Sequence, residues 1–266
     1  MTAFVALRTW VPRPVVRLLK RLRGIGWSGD YPNWAMACRQ AKGYDDPTIS
    51  ERVAETTRRV LAGEGDHERD GVIIAERNPR WPVLASLLWI HARDQRLRVL
   101  DFGGSLASSW YQHRHWLSGL AQVEWMVVEQ PAFVDHGRRL FAGQPVRFSS
   151  TLPDANTYAP TVIFISSSLQ YLSEPWAMLE CLLAMGAQQV ILDRTAFGPR
   201  NRLTVQQVPG RIYPASYPAW FLDHRKLGEV LTARGFQCVA EWPCDDDSTI
   251  AGTWFGGGHW QKVRNL

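Results

Sequence analysis

The stretch that decides the fold is Arg98-Val99-Leu100-Asp101-Phe102-Gly103-Gly104-Ser105. It begins as a short apolar strand that ends in an acid, and two glycines and a serine follow before a predicted helix. Glycine tolerates positive φ, and the first turn of a helix presents N–H groups that have no partner within the helix. The stretch therefore predicts a strand-to-helix turn at which the backbone can approach a ligand closely.

A second predicted strand, residues 123–128, ends in Glu129. In an α/β nucleotide fold, an acid at the tip of the second strand binds ribose hydroxyls. The turn after the first strand is not G-x-G-x-x-G, and no G-x-x-x-x-G-K-[ST] occurs, so the loops that bind pyrophosphate or triphosphate have no counterpart here. Two acids and a glycine turn favour a nucleoside cofactor without pyrophosphate, S-adenosylmethionine (SAM), over NAD or ATP.

The composition is that of an ordinary globular protein, because 45% of the 266 residues are hydrophobic and 21% are charged. The net charge of +5 is concentrated near the N-terminus. Six cations lie within the first 23 residues: Arg8, Arg13, Arg17, Lys20, Arg21 and Arg23. The remainder is nearly neutral, which argues against a nucleic-acid partner. The four cysteines show no C-x-x-C spacing, so we expect no metal site and no disulfide framework.

Residues 1–26 predict a basic amphipathic arm, because apolar positions recur at helical spacing and cations occupy the other face. Through residues 8–23 such a helix binds an anionic membrane surface, forms a solvated arm or packs on its own domain; the pattern leaves all three open. No apolar run reaches the roughly 18 residues of a transmembrane helix. We expect a cytoplasmic protein. The basic arm also suggests peripheral contact with the inner face of the membrane.

Residues 27–93 predict a helical cap without a readable strand, and residues 94–266 predict a SAM-binding α/β domain. Within that domain, strands alternate with helices, as parallel βαβ units require. The predicted strands are 97–102, 123–128, 162–166 and 190–193, and the helices between them are 107–119, 132–142 and 175–186. A late helix at 224–234 and late strands at 237–241 and 253–261 predict an antiparallel edge.

Seven stretches of the chain carry a resemblance to a known family. They are Trp27-Ser28-Gly29-Asp30-Tyr31, Glu68-Arg69-Asp70, Val99 to Ser105, Val127-Val128-Glu129-Gln130-Pro131, Ser167 to Leu172, Asp193-Arg194-Thr195, and Ala215-Ser216-Tyr217-Pro218. With these stretches the chain resembles a bacterial family of predicted class I SAM-dependent methyltransferases, often encoded among genes for surface polysaccharides. The resemblance implies a Rossmann-like methyltransferase sheet, SAM as methyl donor, and a sugar hydroxyl, free or lipid-linked, as acceptor.

The resemblance also implies roles for the residues that follow the predicted strands. The expected cofactor-binding residues are Asp101, Gly103, Gly104 and Ser105 for the amino-acid part of SAM, Glu129 for the ribose, Gln130 and Ser149 near the adenine, and Ser167, Ser168 and Tyr171 on the sulfonium side. The expected acceptor-binding residues are Tyr31, Arg69, Arg194 and Tyr217. Arginine suits an acidic sugar or a phosphate, and an aromatic ring suits a sugar face.

A sugar hydroxyl is a poor nucleophile and needs a general base. The leading candidates are Asp193, at a strand end, and His113 and Asp30; Glu68, His115 and His224 are weaker candidates. The alternative for Asp193 is an ion pair with Arg194.

Two other functions fit the same sequence. The first is a nicotinamide-dependent sugar oxidoreductase that keeps Glu129 on a ribose. The second is a non-catalytic methyltransferase-like module of a polysaccharide assembly complex.

Overall fold

The computed structural model describes residues 26–41, 47–208 and 215–263. The predicted arm, and with it the membrane contact through residues 8–23, lies outside the described residues apart from Gly26. Among the described residues, none of the helices combines the length and the apolar character that a membrane crossing needs.

The described residues before 97 form helices, as predicted, but they also form three short strands. Their elements are β1 (Gly26–Ser28), α1 (Trp34–Gln40), α2 (Pro47–Leu61), β2 (His67–Arg69), β3 (Val72–Ile74) and α3 (Trp81–Asp94). The expectation that this segment has no strand was wrong. Strands of three residues are too short to show an alternating pattern, and the partner of β1 lies far along the chain.

The remaining elements alternate as the sequence predicts. They are β4 (Leu97–Phe102), α4 (Ser108–Leu117), β5 (Val123–Val128), α5 (Pro131–Leu140), β6 (Val146–Ser149), β7 (Val162–Ser166), α6 (Pro175–Leu183), β8 (Gln189–Gly198), β9 (Arg202–Gln207), β10 (Ser216–Asp223), α7 (His224–Ala233), β11 (Phe236–Pro243) and β12 (Trp254–Lys262). The predicted strands and helices agree with these bounds to within about three residues, except that β8 continues five residues further than expected.

The central sheet has the strand order β6-β5-β4-β7-β8-β12-β11. Strands β4 to β8 pair in parallel, whereas β12 runs antiparallel to both β8 and β11. The predicted α/β sheet with a late antiparallel hairpin is therefore confirmed. Helices α3, α4 and α5 share one apolar core with one face of this sheet, and α6 and α7 share a second core with the other face.

A second strand group extends the sheet beyond the end of β8. Strand β10 pairs in parallel with the last residues of β8, β9 pairs antiparallel with β10, and β1 pairs antiparallel with β9. The sequence did not predict β9 or β10; for β10 the reason is Pro218, which is atypical of a strand interior. This extension places residues 26–41 beside the carboxyl edge of the main sheet, where ligands bind in open α/β folds.

Candidate active site

The turn after β4 is as tight as its glycines suggest. Gly103 has a φ of +70°, and a Cβ built there would lie 2.3 Å from the Cβ of Ser168. A Cβ at Gly104 would lie 2.4 Å from the Oδ2 atom of Asp101. Both contacts are far inside the van der Waals limit, so the backbone lies against Asp101 and Ser168 only because neither glycine has a side chain.

Asp101 is fully buried at the end of β4. Its Oδ2 atom accepts a hydrogen bond of 2.9 Å from Nε1 of Trp125, whereas its Oδ1 atom has no partner among the described residues. Burial raises the pKa of Asp101 to about 7, against the effect of the Trp125 hydrogen bond. A buried carboxyl oxygen without a donor is uncommon in a folded protein and is a feature of sites that bind a ligand.

Glu129 follows β5 on the other side of the glycine turn, with its Oε2 atom 3.8 Å from the Cβ position of Gly103. Burial raises its pKa to about 7, although the backbone N–H of Gln130 donates to the carboxylate. The backbone N–H of Glu129 donates to the carbonyl of Ser149, which places these two strand ends together. The side chain of Gln130 is exposed. The fold thus brings Asp101, both glycines and Glu129 around one turn.

The loop after β7 is held against this turn. The hydroxyl of Ser168 donates to the carbonyl of Phe102 at 2.8 Å, and Ser167, which has a φ of 56°, accepts from Gln170. Tyr171 donates to Gln206 of β9, and its ring meets that of Tyr217 edge-on at 5.2 Å. Tyr217 is buried in the core cluster, so its ring packs against protein in this structure. The predicted acceptor role of Tyr217 stays a prediction.

A narrow cavity of about 40 Å³ opens beside the first turn of α4. Its lining residues are His67, Glu68, Arg69, Arg80, Val83, Ser108, Ser109, Gln112, His113, Phe164, Ser166, Asp193 and Arg194. Strands β2, β7 and β8 and helix α4 therefore meet here, and most of the lining side chains are polar. Of the expected acceptor-binding residues, Arg69 and Arg194 line this cavity, whereas Tyr31 lies in a separate cluster beside β9.

Asp193 is held by several donors rather than by its neighbour Arg194. Arg80 donates to both carboxylate oxygens at 3.0 and 2.8 Å, and Nε1 of Trp242 donates to Oδ1 at 2.8 Å. The indole of Trp242 reaches Asp193 because Gly257 of β12 has no side chain: a Cβ there would lie 2.4 Å from Nε1. Arg194 pairs with Asp246 instead, so the predicted alternative of an Asp193–Arg194 ion pair was wrong.

The other two leading base candidates also have partners. His113 is buried, with Nδ1 2.7 Å from the carbonyl of Ser109 and Nε2 accepting from the backbone N–H of Arg80. Burial lowers the pKa of His113 to about 4, so the ring is neutral at pH 7. Asp30 pairs with Arg200 beside β9 and is not part of the cavity lining. These contacts do not test the catalytic roles of His113 and Asp30, which stay predictions.

Glu68 is a second buried carboxyl in the cavity lining, besides Asp193. It accepts hydrogen bonds from the backbone N–H of Gly71 at 2.7 Å and from the hydroxyl of Ser108 at 2.8 Å. Burial raises its pKa to about 7 despite those two bonds. The polar triplet Glu68-Arg69-Asp70 was the only sequence signal, because the hairpin of β2 and β3 that brings Glu68 to α4 is too short to predict.

Comparisons with known proteins concern the fold. No family model matches the sequence, and no curated protein matches it. Among solved structures, the CcbJ methyltransferase from Streptomyces caelestis matches at 12% identity and a TM-score of 0.52, over 83% of this chain and 100% of its own. The chain has the class I methyltransferase fold.

Two further solved structures have TM-scores just below one half. The N-terminal domain of EvdMO1, crystallised in the presence of S-adenosylhomocysteine (SAH) and D-fucose, matches at 15% identity and a TM-score of 0.49, over 84% of this chain and 100% of its own. Magnesium protoporphyrin IX methyltransferase (ChlM) from Synechocystis PCC 6803 with bound SAH matches at 14% identity and 0.48, over 82% of this chain and 100% of its own.

Proposed function

We propose that this protein is a SAM-dependent O-methyltransferase that acts on a sugar hydroxyl. The observation that carries the proposal is the pairing of Asp101 and Glu129 around a glycine turn, at the ends of β4 and β5 of a class I methyltransferase fold. The antiparallel strand β12 between β8 and β11 disfavours the nicotinamide-dependent alternative, since the classic dinucleotide fold has the same order of parallel strands but places a sixth parallel strand beside the fifth.

The residues around the turn fit SAM. The carboxylate of Glu129 would accept from the ribose hydroxyls, and the Oδ1 atom of Asp101, which has no partner within the described part of the chain, would accept from a donor of the amino-acid part. Gly103 and Gly104 leave the backbone open to close approach. When bound, SAM would supply a methyl group that is activated by its bond to a positively charged sulfur. An oxygen nucleophile can take this methyl group, and the sulfur is the leaving group.

The protein's contribution to methyl transfer is to hold the acceptor, exclude water and remove a proton. Glu68 lines the cavity beside α4, and its pKa of about 7 suits a group that takes a proton from a hydroxyl near neutral pH. Glu68 would take the proton of the acceptor hydroxyl on a carboxylate oxygen; the bond that breaks in the transfer is the S–CH3 bond of SAM, and SAH would leave with its electron pair. Asp193 lines the same cavity, and hydrogen bonds from Arg80 and Trp242 hold its carboxylate in place.

The sugar acceptor is inferred from the family resemblance, and a polysaccharide precursor is the substrate class that this resemblance favours. A cytoplasmic location and a membrane contact through residues 8–23 belong to the same proposal. Deleting residues 1–24 should lower the fraction of protein that sediments with anionic liposomes. Equal sedimentation of the full and shortened chains would remove the membrane contact from the proposal.

Calorimetric titration of SAH and NAD into the wild-type protein tests the cofactor. We expect SAH to bind and NAD to give no heat; the reverse result would support the oxidoreductase. Glu129→Ala should weaken SAH binding about tenfold or more, because hydrogen bonds to a charged group contribute roughly 1.5–3 kcal/mol. Glu229→Ala, at an exposed site on α7, is the matched control. Unchanged SAH affinity in Glu129→Ala would refute the ribose assignment.

Transfer of labelled methyl from SAM to a panel of saccharides tests the reaction. Glu68→Gln should lower kcat and remove the rise of activity between pH 6 and 8 that a base with a pKa of about 7 produces. If the protein binds SAH but methylates no acceptor of any class, the non-catalytic module is the better account.

A further inference from the structure

Three arginines reach the cavity beside α4, and two of them have carboxylate partners. Arg80 donates to both oxygens of Asp193. Arg194 donates to both oxygens of Asp246, each at 3.1 Å, and lies 3.5 Å from Asp70. Each of these two guanidinium groups is therefore neutralised by a fork-like pair, the geometry that arginine and carboxylate prefer.

Arg69 is the exception. Among the described residues it makes no ion pair within 4.0 Å and no side-chain hydrogen bond, although it is partly buried and lines the same cavity. Burial and the charge of Arg194 lower the pKa of Arg69 below its usual value, whereas Asp246 and Asp70 act on it from beyond ion-pair distance. A partly buried cation without a counterion is costly, because its lost hydration is not replaced.

The carboxylates around Arg69 already accept hydrogen bonds from other donors or are largely exposed. Both oxygens of Asp246 face Arg194, and the two oxygens of Glu68 accept from Gly71 and Ser108. Asp70 keeps 63% of its side chain exposed. The fold thus leaves one guanidinium in the cavity available to a ligand.

The size and chemistry of the cavity limit that ligand. A cavity of about 40 Å³ holds a small polar group rather than a whole sugar or nucleoside. Ser109 and Gln112 of α4 also line it and offer further donors. A planar guanidinium with two parallel N–H groups fits a carboxylate better than it fits a neutral hydroxyl.

We propose that Arg69 binds a ligand carboxylate in this cavity. The inference rests on the proposed function and deepens it, because that function supplies two sources of a carboxylate. One is the amino-acid end of SAM, and the other is an acidic sugar, a hexuronic acid, as methyl acceptor.

Two pairs of probes separate the sources by calorimetry. SAH carries the carboxylate, whereas 5′-methylthioadenosine keeps the nucleoside and lacks the amino-acid part. D-Glucuronate and D-glucose differ in the same way among sugars, and they are titrated with and without SAH. Arg69→Gln should weaken one carboxylate-bearing probe about 10- to 100-fold and leave its neutral counterpart unchanged. Arg69→Lys, which keeps the charge but loses the fork, should fall between.

Selective loss of SAH affinity assigns Arg69 to the cofactor, and selective loss of glucuronate affinity assigns it to the acceptor; either result supports the proposal. Arg225→Gln, at a side chain that is 82% exposed on α7, is the control. If Arg69→Gln binds all four probes as the wild type does, the proposal is wrong. The glucuronate titration without SAH remains interpretable even if the protein binds no nucleoside, so failure of the proposed function is recognised separately.

A thermal unfolding measurement without ligand tests whether the role of Arg69 is purely structural. Because Arg69 has no ion-pair or hydrogen-bond partner among the described residues, Arg69→Gln should leave the melting temperature equal to or above that of the wild type. A clear fall in melting temperature would mean that Arg69 stabilises the fold through a contact of its own, and it would overturn the proposal.

Discussion

Glu68→Gln should make the protein more stable at neutral pH and remove part of the pH dependence of its stability. Burial raises the pKa of Glu68 from 4.5 to about 7 in the folded protein. The folded form therefore holds this proton more tightly than the unfolded chain does. Its contribution to stability is complete below about pH 4.5 and is lost as the pH rises through about 7.

The size of the effect follows from the shift. Because the pKa of Glu68 is raised by roughly 2.5, the free energy of unfolding at pH 8 is lower by about 3 kcal/mol than it is below pH 4.5. Glutamine keeps the shape and an acceptor oxygen for the N–H of Gly71, and its amide donates to the hydroxyl oxygen of Ser108. The variant should therefore match the wild type at pH 4.5 and exceed it by about 3 kcal/mol at pH 8.

Urea unfolding at half-unit steps from pH 4.5 to 8.5 measures this difference. Glu229→Gln, whose side chain is 63% exposed on α7, is the control and should follow the wild-type curve. Parallel curves for Glu68→Gln and the wild type would refute the reasoning, because they would mean that Glu68 ionises in the folded protein as easily as in the unfolded chain.

Three further predictions concern the turn and the strand ends. SAH affinity should rise with pH up to about pH 7 and then level off, since ionised Glu129 accepts two ribose hydroxyls; Glu129→Gln should bind more weakly and with a smaller pH dependence in calorimetry, the remainder coming from Asp101. Gly104→Ala should abolish SAH binding and lower the free energy of unfolding by about 1–3 kcal/mol, because the new Cβ collides with Asp101. The control Gly119→Ala, whose Cβ would have no atom within 4 Å, should change neither quantity in the same titration and urea experiments. Gly257→Ala should displace the indole of Trp242 from Asp193 and lower the melting temperature. Gly228→Ala, at a position on α7 with open space around it, should leave the melting temperature unchanged. Equal melting temperatures for Gly257→Ala and the wild type would contradict the packing argument.

The sequence by itself determined the elements whose pattern is local. The run from Arg98 to Ser105 and the acid Glu129 placed the glycine turn and both strand ends correctly, because apolar strands, glycines and terminal acids act within a few residues. The alternation of strands and helices then left little choice of fold class. Asp101 and Glu129 were named without any structure, and the fold places them around the same turn.

The tertiary structure alone decided which charged groups face one another. Asp193 pairs with Arg80 rather than with its neighbour Arg194, and a three-residue strand brings Glu68 and Arg69 to α4. These contacts join residues that are up to 113 positions apart, and no local period encodes them. Long-range pairing depends on how layers pack, so the cavity chemistry became readable only when β2, α4 and β8 were seen together.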